Sequence, residues 1–357
     1  MSSTKQIWFQ GYLTMIWISY FLAIVVSPGN PPPNFQPNRG EWRRWCKKCE
    51  NYKPERSHHC KTCNQCVLQM DHHCPWTMSC VGYKNFGHFL RFLGWVVFTT
   101  GLVAVELSKR VGQYYHDSDL PSYLVDKKEM VAVIFLLPID LFVFFSVLIL
   151  MIRVLINLGK GMTQIETWEW ERIESQFHTD RMWFQIRKNY FDFHHKEMPE
   201  LTSIHKAYRY QDEDIYEKQD DKDQTQDDKT LVPLNFSTDD LVFPYDLGFW
   251  RNIFQVCGYP WYWLLPWQSP SEAGYLPPKS KYMEDDQLDL PWPPDGGHQE
   301  LKVFANDTNL KVENIRQLGL MKKRLDPRST MNRTEWMNDV GEKLDDYGVD
   351  VESETFH

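Results

Sequence analysis

A carboxylate, a histidine and a cysteine stand close together at Asp71, His72 and Cys74. A cysteine attacks as its thiolate, and a neighbouring histidine both lowers the thiol pKa and accepts its proton. Residues two apart on an extended segment face the same side, so His72 can serve Cys74. Asp71 would face away on a regular strand and needs a local kink before it can orient His72. The chemistry open to such a group is nucleophilic transfer through a covalent thioester.

What separates these residues from their surroundings is a short repeat. Cys46-x2-Cys49-x9-His59-x6-Cys66 returns fourteen residues later as Cys60-x2-Cys63-x9-His73-x6-Cys80. Each copy supplies three thiolates and one imidazole, a set that closes a tetrahedral zinc site. The copies overlap, so they predict two interleaved sites, and His58, His72 and Cys74 are left over. With eight protein ligands neither zinc keeps an open position for water, which argues against a zinc hydrolase and makes the metals structural. Ser57-His58-His59-Cys60 in the first copy aligns with Asp71-His72-His73-Cys74 in the second. The first lacks the carboxylate and uses its cysteine as a ligand, so only the second offers a free Asp-His-Cys group. The bland alternative is that His72 and Cys74 merely pack within a zinc knuckle. Regular spacing and participating histidines favour metal over disulfides, hence a reducing compartment.

The elements that position this loop are apolar. The chain has 357 residues and a net charge of −9. Residues 1–110 are net basic, so the acidic excess lies in the rest of the chain. This split suits a membrane part joined to a solvated part. Ile7 to Val26 is long enough to span a bilayer. It exceeds a signal-peptide core, no cleavage site follows it, and Ser27-Pro28-Gly29 ends it in a turn. A second span is expected over His88–Leu107, with Arg91 one turn in and snorkelling. A third falls within Met130–Ile156, its helix starting after Pro138 and leaving Asp140 at the interface. The fold class is therefore an α-helical integral membrane protein with three transmembrane helices and a double-zinc Cys-rich domain between the first and second. The basic run from Arg39 to Lys61 and the zinc thiolates place that domain in the cytosol, and with it the C-terminal region. The same basic run could also meet anionic headgroups or the phosphates of a soluble cofactor.

The chain divides by composition into a first helix and turn (1–29), the zinc domain (30–87) and two further spans (88–157) with a lumenal loop at 108–129. A juxtamembrane segment (158–200), an acidic disordered linker (201–235), an aromatic C-terminal segment (236–270) and an acidic tail (271–357) follow. Ile165, Trp168, Ile173 and Phe177 suggest an interfacial helix whose apolar face is interrupted by Arg172. Residues 211–230 carry almost nothing apolar and read as disordered. The aromatic stretch Phe243–Trp267 is expected to bury itself at the membrane, with Cys257 a small buried hydrophobe.

Cys46-x2-Cys49, Arg56-Ser57-His58-His59-Cys60, Met70-Asp71-His72-His73-Cys74-Pro75-Trp76, Cys80-Val81-Gly82 and Asn85 together resemble the DHHC-type protein S-acyltransferases. The resemblance implies that Cys74 is acylated from palmitoyl-CoA and passes the acyl group to a cysteine of a membrane-associated protein. By the same resemblance His72 is the base, Asp71 orients it, and two Zn2+ are structural. Thr163-Gln164-Ile165-Glu166 resembles the TTxE element of the family, with Gln164 in place of the second threonine. Asn252 resembles its C-terminal asparagine, and Ser27-Pro28-Gly29 its DPG element. The family usually has four or more spans where three are found here, so its first helix is either absent from this chain or encoded upstream. Were it absent, the acyl cavity would lose a wall.

Leu290–Gly297 and Leu344–Asp350 are similar to the fungal endoplasmic-reticulum members associated with chitin synthase. That resemblance implies a multi-pass protein of the endoplasmic-reticulum membrane and makes chitin synthase a possible substrate. The alternative to an acyltransferase is a non-catalytic, membrane-anchored zinc module that binds partners. Nucleic acid is not expected as a partner, because spans and an acidic tail offer little to a polyanion.

Overall fold

Apolar stretches set the first level of organisation. A computed structural model describes residues 3–119, 121, 125–203, 231–233, 236–259, 263, 274–281, 283, 286–297 and 326–356. The expected disordered segment 211–230 lies outside the described residues. Helices α1 (Ser3–Val25), α2 (Phe86–His116) and α3 (Lys127–Gly159) are each long and apolar enough to cross a membrane. The three expected spans are thus present, with altered limits. Helix α2 continues beyond its apolar stretch to His116, so the loop expected at 108–129 shrinks to residues 117–126. Helix α3 begins at Lys127, capped by the Asp126 carboxylate, which accepts the Lys128 amide at 2.9 Å. Pro138 lies inside this helix, and Asp140 follows it within the helix, not at a helix start. At about 1.5 Å per residue, the 33 residues of α3 exceed a hydrocarbon core of about 30 Å. Arg91 does not snorkel to solvent. It is buried, with Nη1 3.2 Å from Nδ1 of His88.

The chain forms two compact units, each assembled from three segments. One comprises Met1–Asn30, Val67–Gln164 and Gly248–Gly274, and holds the long helices. Within it α2 packs against both α1 and α3, and α6 (Phe249–Cys257) packs on α3 and α2. The other comprises Pro31–Cys66, Ile165–Leu247 and Tyr275–His357. Residues of the zinc domain expected over 30–87 contribute to both units, and the described residues from Tyr275 onward belong to the second.

Three short antiparallel hairpins run through the cysteine-rich stretch. They are β1–β2 (Arg44–Cys46, Asn51–Tyr52), β3–β4 (His58–Cys60, Gln65–Val67) and β5–β6 (His72–Cys74, Ser79–Val81). In the second unit the outer edge of β1 is taken by β7 (Glu354–Phe356), in the register Arg44↔Phe356 to Cys46↔Glu354. Beside it, Asp350 donates its amide to the His59 carbonyl at 2.8 Å, and Lys61 donates to Gly348 at 3.0 Å. Lys53 and Glu354 form an ion pair with both side chains fully buried. The leftover His58 sits 3.8 Å from Glu354, and burial pushes its pKa down to about 3, so it stays neutral.

Helices α4 (Gln164–Gln176) and α5 (Asp180–His194) occupy the segment expected to be juxtamembrane. Ile165, Trp168 and Ile173 are buried in the core of the second unit, where Trp168 meets Trp336 edge-on at 4.9 Å. The expected interfacial helix is therefore a core helix. Arg172 fits there because Glu169 (2.9 Å) and Asp295 (2.8 Å) neutralise it, as a buried charge requires.

Candidate active site

The hairpins carry the expected ligands. Cys46, at the end of β1, accepts the Cys49 amide on its sulfur at 3.4 Å, and Cys60, at the end of β3, accepts that of Cys63 at 3.3 Å. Glu50 and Asn64 then turn the chain through left-handed φ values of 49° and 50°. Around the first set, Nδ1 of His59 lies 3.4, 3.3 and 3.7 Å from the sulfurs of Cys46, Cys49 and Cys66. Zinc–sulfur and zinc–nitrogen bonds at tetrahedral angles place such atoms about 3.6 Å apart, so the set fits zinc. Its ligand atoms all lie within 4.8 Å of one another. The neighbouring Cys46 sulfur and burial push the Cys66 thiol far up, whereas its bond to Cys66 brings the Cys46 thiol down to about 4. This set could hold a metal ion; of the second expected set, Cys60 and Cys63 belong to the second unit and His73 and Cys80 to the first. Within the first unit His73 and Cys80 are cross-strand partners, with Sγ 3.7 Å from Nδ1.

On the third hairpin, β5 presents His72 and Cys74 to the same side. Asp71 precedes β5, just after Gln69 turns with a φ of 43°. This supplies the required kink. The Asp71 carboxylate meets His72 Nδ1 through Oδ2 at 2.8 Å and accepts the Gln164 amide on Oδ1 at 2.7 Å. Cys74 is 4% exposed and packs among Ala23, Val81, Phe86, Phe89, Leu158 and Ile253. The His72 ring stands edge-on to Phe89 at 5.4 Å. Burial opposes the charged form of His72, but the bonds to Asp71 and Cys74 outweigh it and raise its pKa to about 9. Burial likewise opposes the Cys74 thiolate, yet His72 and Thr77 bring its pKa down to about 7. At neutral pH the proton can rest on His72 while Cys74 is substantially ionised.

Backbone struts hold this hairpin. Pro28 and Gly29 accept the amides of Lys84 (3.1 Å) and Leu68 (2.9 Å). A Cβ at Gly82 would lie 2.6 Å from Val67 and 2.9 Å from the Pro28 carbonyl, so only glycine fits. Asn85 accepts the Gly82 amide and donates to the carbonyls of Cys80 and Ala23, tying the hairpin to α1.

The weaker motifs are also placed. Thr163 is buried immediately before α4, and the adjacent Gln164 reaches Asp71 through its backbone, which any side chain at that position would permit. Glu166 grips Arg56 through two bonds of 2.6 Å, and the guanidinium lies 4.6 Å over the Tyr245 ring. Arg56 is thus an anchor within the basic run that was expected to mark the cytosolic side. Removing one partner of so buried a pair strands the other. Arg56→Ala is expected to lower stability by about 3–5 kcal/mol, read from the unfolding midpoint in detergent. Asn252 donates to the Gly159 carbonyl at 2.9 Å, capping the last residue of α3 from α6. Cys257 is half-buried in α6 and lines a cavity.

Sequence reasoning missed Thr77. It is 2% exposed, donates its hydroxyl to the Cys74 carbonyl at 3.4 Å and accepts the Ser79 hydroxyl at 3.1 Å. The signal was available, because one more step of fourteen residues maps Cys49 and Cys63 onto Thr77.

A buried, partly ionised thiol on a Cys/His frame, in a unit with three apolar helices, is the equipment of a membrane-bound thioester-forming transferase. Residues 40–171 match the DHHC palmitoyltransferase family. Over 99% of its length the chain is 57% identical to Palmitoyltransferase PFA4 of Debaryomyces hansenii, covering 88% of that protein. It is 43% identical to the Candida albicans protein of the same name, again over 99% of the chain and 92% of that relative. For the Saccharomyces cerevisiae protein the identity is 40%, over 99% of the chain and 91% of the relative. The chain belongs to the DHHC palmitoyltransferases and is a multi-pass membrane protein S-palmitoyltransferase.

Proposed function

We propose that Cys74 carries the palmitoyl group between palmitoyl-CoA and the cysteine of a substrate protein. The observation behind this reading is the bonded series Asp71–His72–Cys74, with the thiol pKa brought down to about 7. His72 holds the Cys74 proton while the thiolate attacks the thioester carbonyl. The carbon–sulfur bond to CoA breaks, and the departing CoA thiolate takes the proton from His72. In the second half His72 removes the proton of the substrate thiol, whose sulfur displaces Cys74 from the acyl carbon. Asp71 keeps the imidazole turned toward the sulfur and balances its charge. Zinc held by the two Cys3His sets would supply cross-linking and charge neutralisation that brace the hairpins.

A cavity of about 770 Å³ in the first unit is lined by Gly87, Leu90, Gly94 and Phe98 of α2 with Met151 and Leu155 of α3. Its size and apolar walls suit a long acyl chain. We assign the zinc domain and C-terminal region to the cytosol, because thiolate ligands need a reducing compartment. We place the protein in the endoplasmic-reticulum membrane, with membrane proteins bearing cytosolic cysteines as substrates, chitin synthase among them. The likeness carried by Leu290–Gly297 and Leu344–Asp350 supports that choice.

Mass spectrometry of the purified chain after brief exposure to palmitoyl-CoA tests the assignment. Hydroxylamine-labile palmitate is expected on Cys74, and palmitate on Cys257 in its place would overturn it. The autoacylation rate should rise with pH, reach half its plateau near pH 7, and level off as the Cys74 thiol finishes ionising. In His72→Ala the midpoint should move up toward the ordinary thiol value of about 8.5, with a rate about 10²-fold lower.

A further inference from the structure

The fourteen-residue repeat does not stop at two copies. Strands end at Cys46, Cys60 and Cys74, and their partner strands begin at Asn51, Gln65 and Ser79. Between them Glu50, Asn64 and Met78 occupy one backbone conformation, with φ of 49°, 50° and 50°. Non-glycine residues seldom adopt that region, and three at one offset mark three copies of one turn. In the first two turns the residue three after the cysteine is a second cysteine whose amide points at the first sulfur, at 3.4 and 3.3 Å. In the third that residue is Thr77, held inward by its bonds to the Cys74 carbonyl and the Ser79 hydroxyl.

We propose that the catalytic hairpin is a third zinc knuckle whose second ligand has been replaced, and that Thr77 is a positioning residue that keeps metal away from Cys74. A thiol at this place would chelate, because the turn already presents the geometry that grips zinc at Cys46-x2-Cys49. A hydroxyl does not compete for soft divalent ions. The sulfur of Cys74 therefore stays available for the acyl carbon, while the turn still offers it the amide that steadies a ligand thiolate in the other two copies. The proposal rests on Cys74 being the acylated residue, and the mass-spectrometric assignment above tests that separately.

The test is Thr77→Cys in the full chain, assayed for autoacylation across a cadmium titration beside wild type and Thr77→Ser. Cadmium is expected to stop Thr77→Cys at concentrations at least about tenfold below those that affect the other two, through kcat and with reversal by a chelator. A sulfur-to-cadmium charge-transfer band should accompany the loss and vanish when Cys74→Ser is added. Equal cadmium sensitivity in all three proteins, with zinc content unchanged, would overturn the proposal. Should Thr77→Cys not fold, Thr77→His carries the same expectation and the same overturning result, since imidazole also binds cadmium.

Discussion

Cys74→Ser is expected to abolish acyl labelling and transfer together, by at least about 10³-fold, while both metal sets stay filled. A serine hydroxyl is not ionised near neutral pH, so the His72 that brings the thiol to about 7 has no thiolate to stabilise. The substitution removes little else. Cys74 is no member of either ligand set, and its neighbours Phe86, Phe89 and Leu158 tolerate an atom of similar size. The measurement is hydroxylamine-sensitive labelling with an alkynyl palmitoyl-CoA, beside zinc content by atomic absorption. Full labelling of the folded variant would exclude Cys74 as the acyl carrier.

Cys49→Ser should give the opposite pattern. Cys49 is only half-buried, and its sulfur lies 3.3 Å from the ligand nitrogen of His59, so the change is chiefly the loss of a ligand. Structural zinc of this type contributes about 10–16 kcal/mol to the folding of small finger peptides, and a site short of one thiolate keeps little of that. Zinc content is expected to fall from about two ions per chain to about one. Acyl labelling should fall with it although Cys74 is intact. Wild-type labelling with one zinc missing would show that the first set does not brace the reaction. Taken together, the two variants separate the reacting atom from the scaffold that holds it.

Much of the site was legible because metal ligation is local and periodic. Both Cys3His sets follow from spacing alone, and Asp71, His72 and Cys74 follow by subtraction. The kink that Asp71 needed was foreseeable, whereas its bond to Gln164 was not, since that partner is 93 residues away. The spans were legible from apolar length, but α2 runs on to His116 because helix geometry does not end where hydropathy does. Glu354 was illegible for a different reason. In sequence it is one acid in an acidic tail, and Lys53 is one cation in a basic run. Only the fold shows that they neutralise each other in a dry interior. Thr77 was hidden because a threonine is not a zinc-ligand type, while the turn that holds it repeats in backbone conformation.

The pairing of β7 with β1 bears on how the protein is made. The two units draw alternately on three segments each, and the residues joined by the Lys53–Glu354 pair are 301 positions apart. At a ribosomal rate of about 5–20 residues per second, the strand bearing Cys46 waits roughly 15–60 s for its outer neighbour. Throughout that interval the backbone groups along the outer edge of β1 are without their strand partner. The outer edge of β1 therefore stays open until the segment bearing β7 has been made.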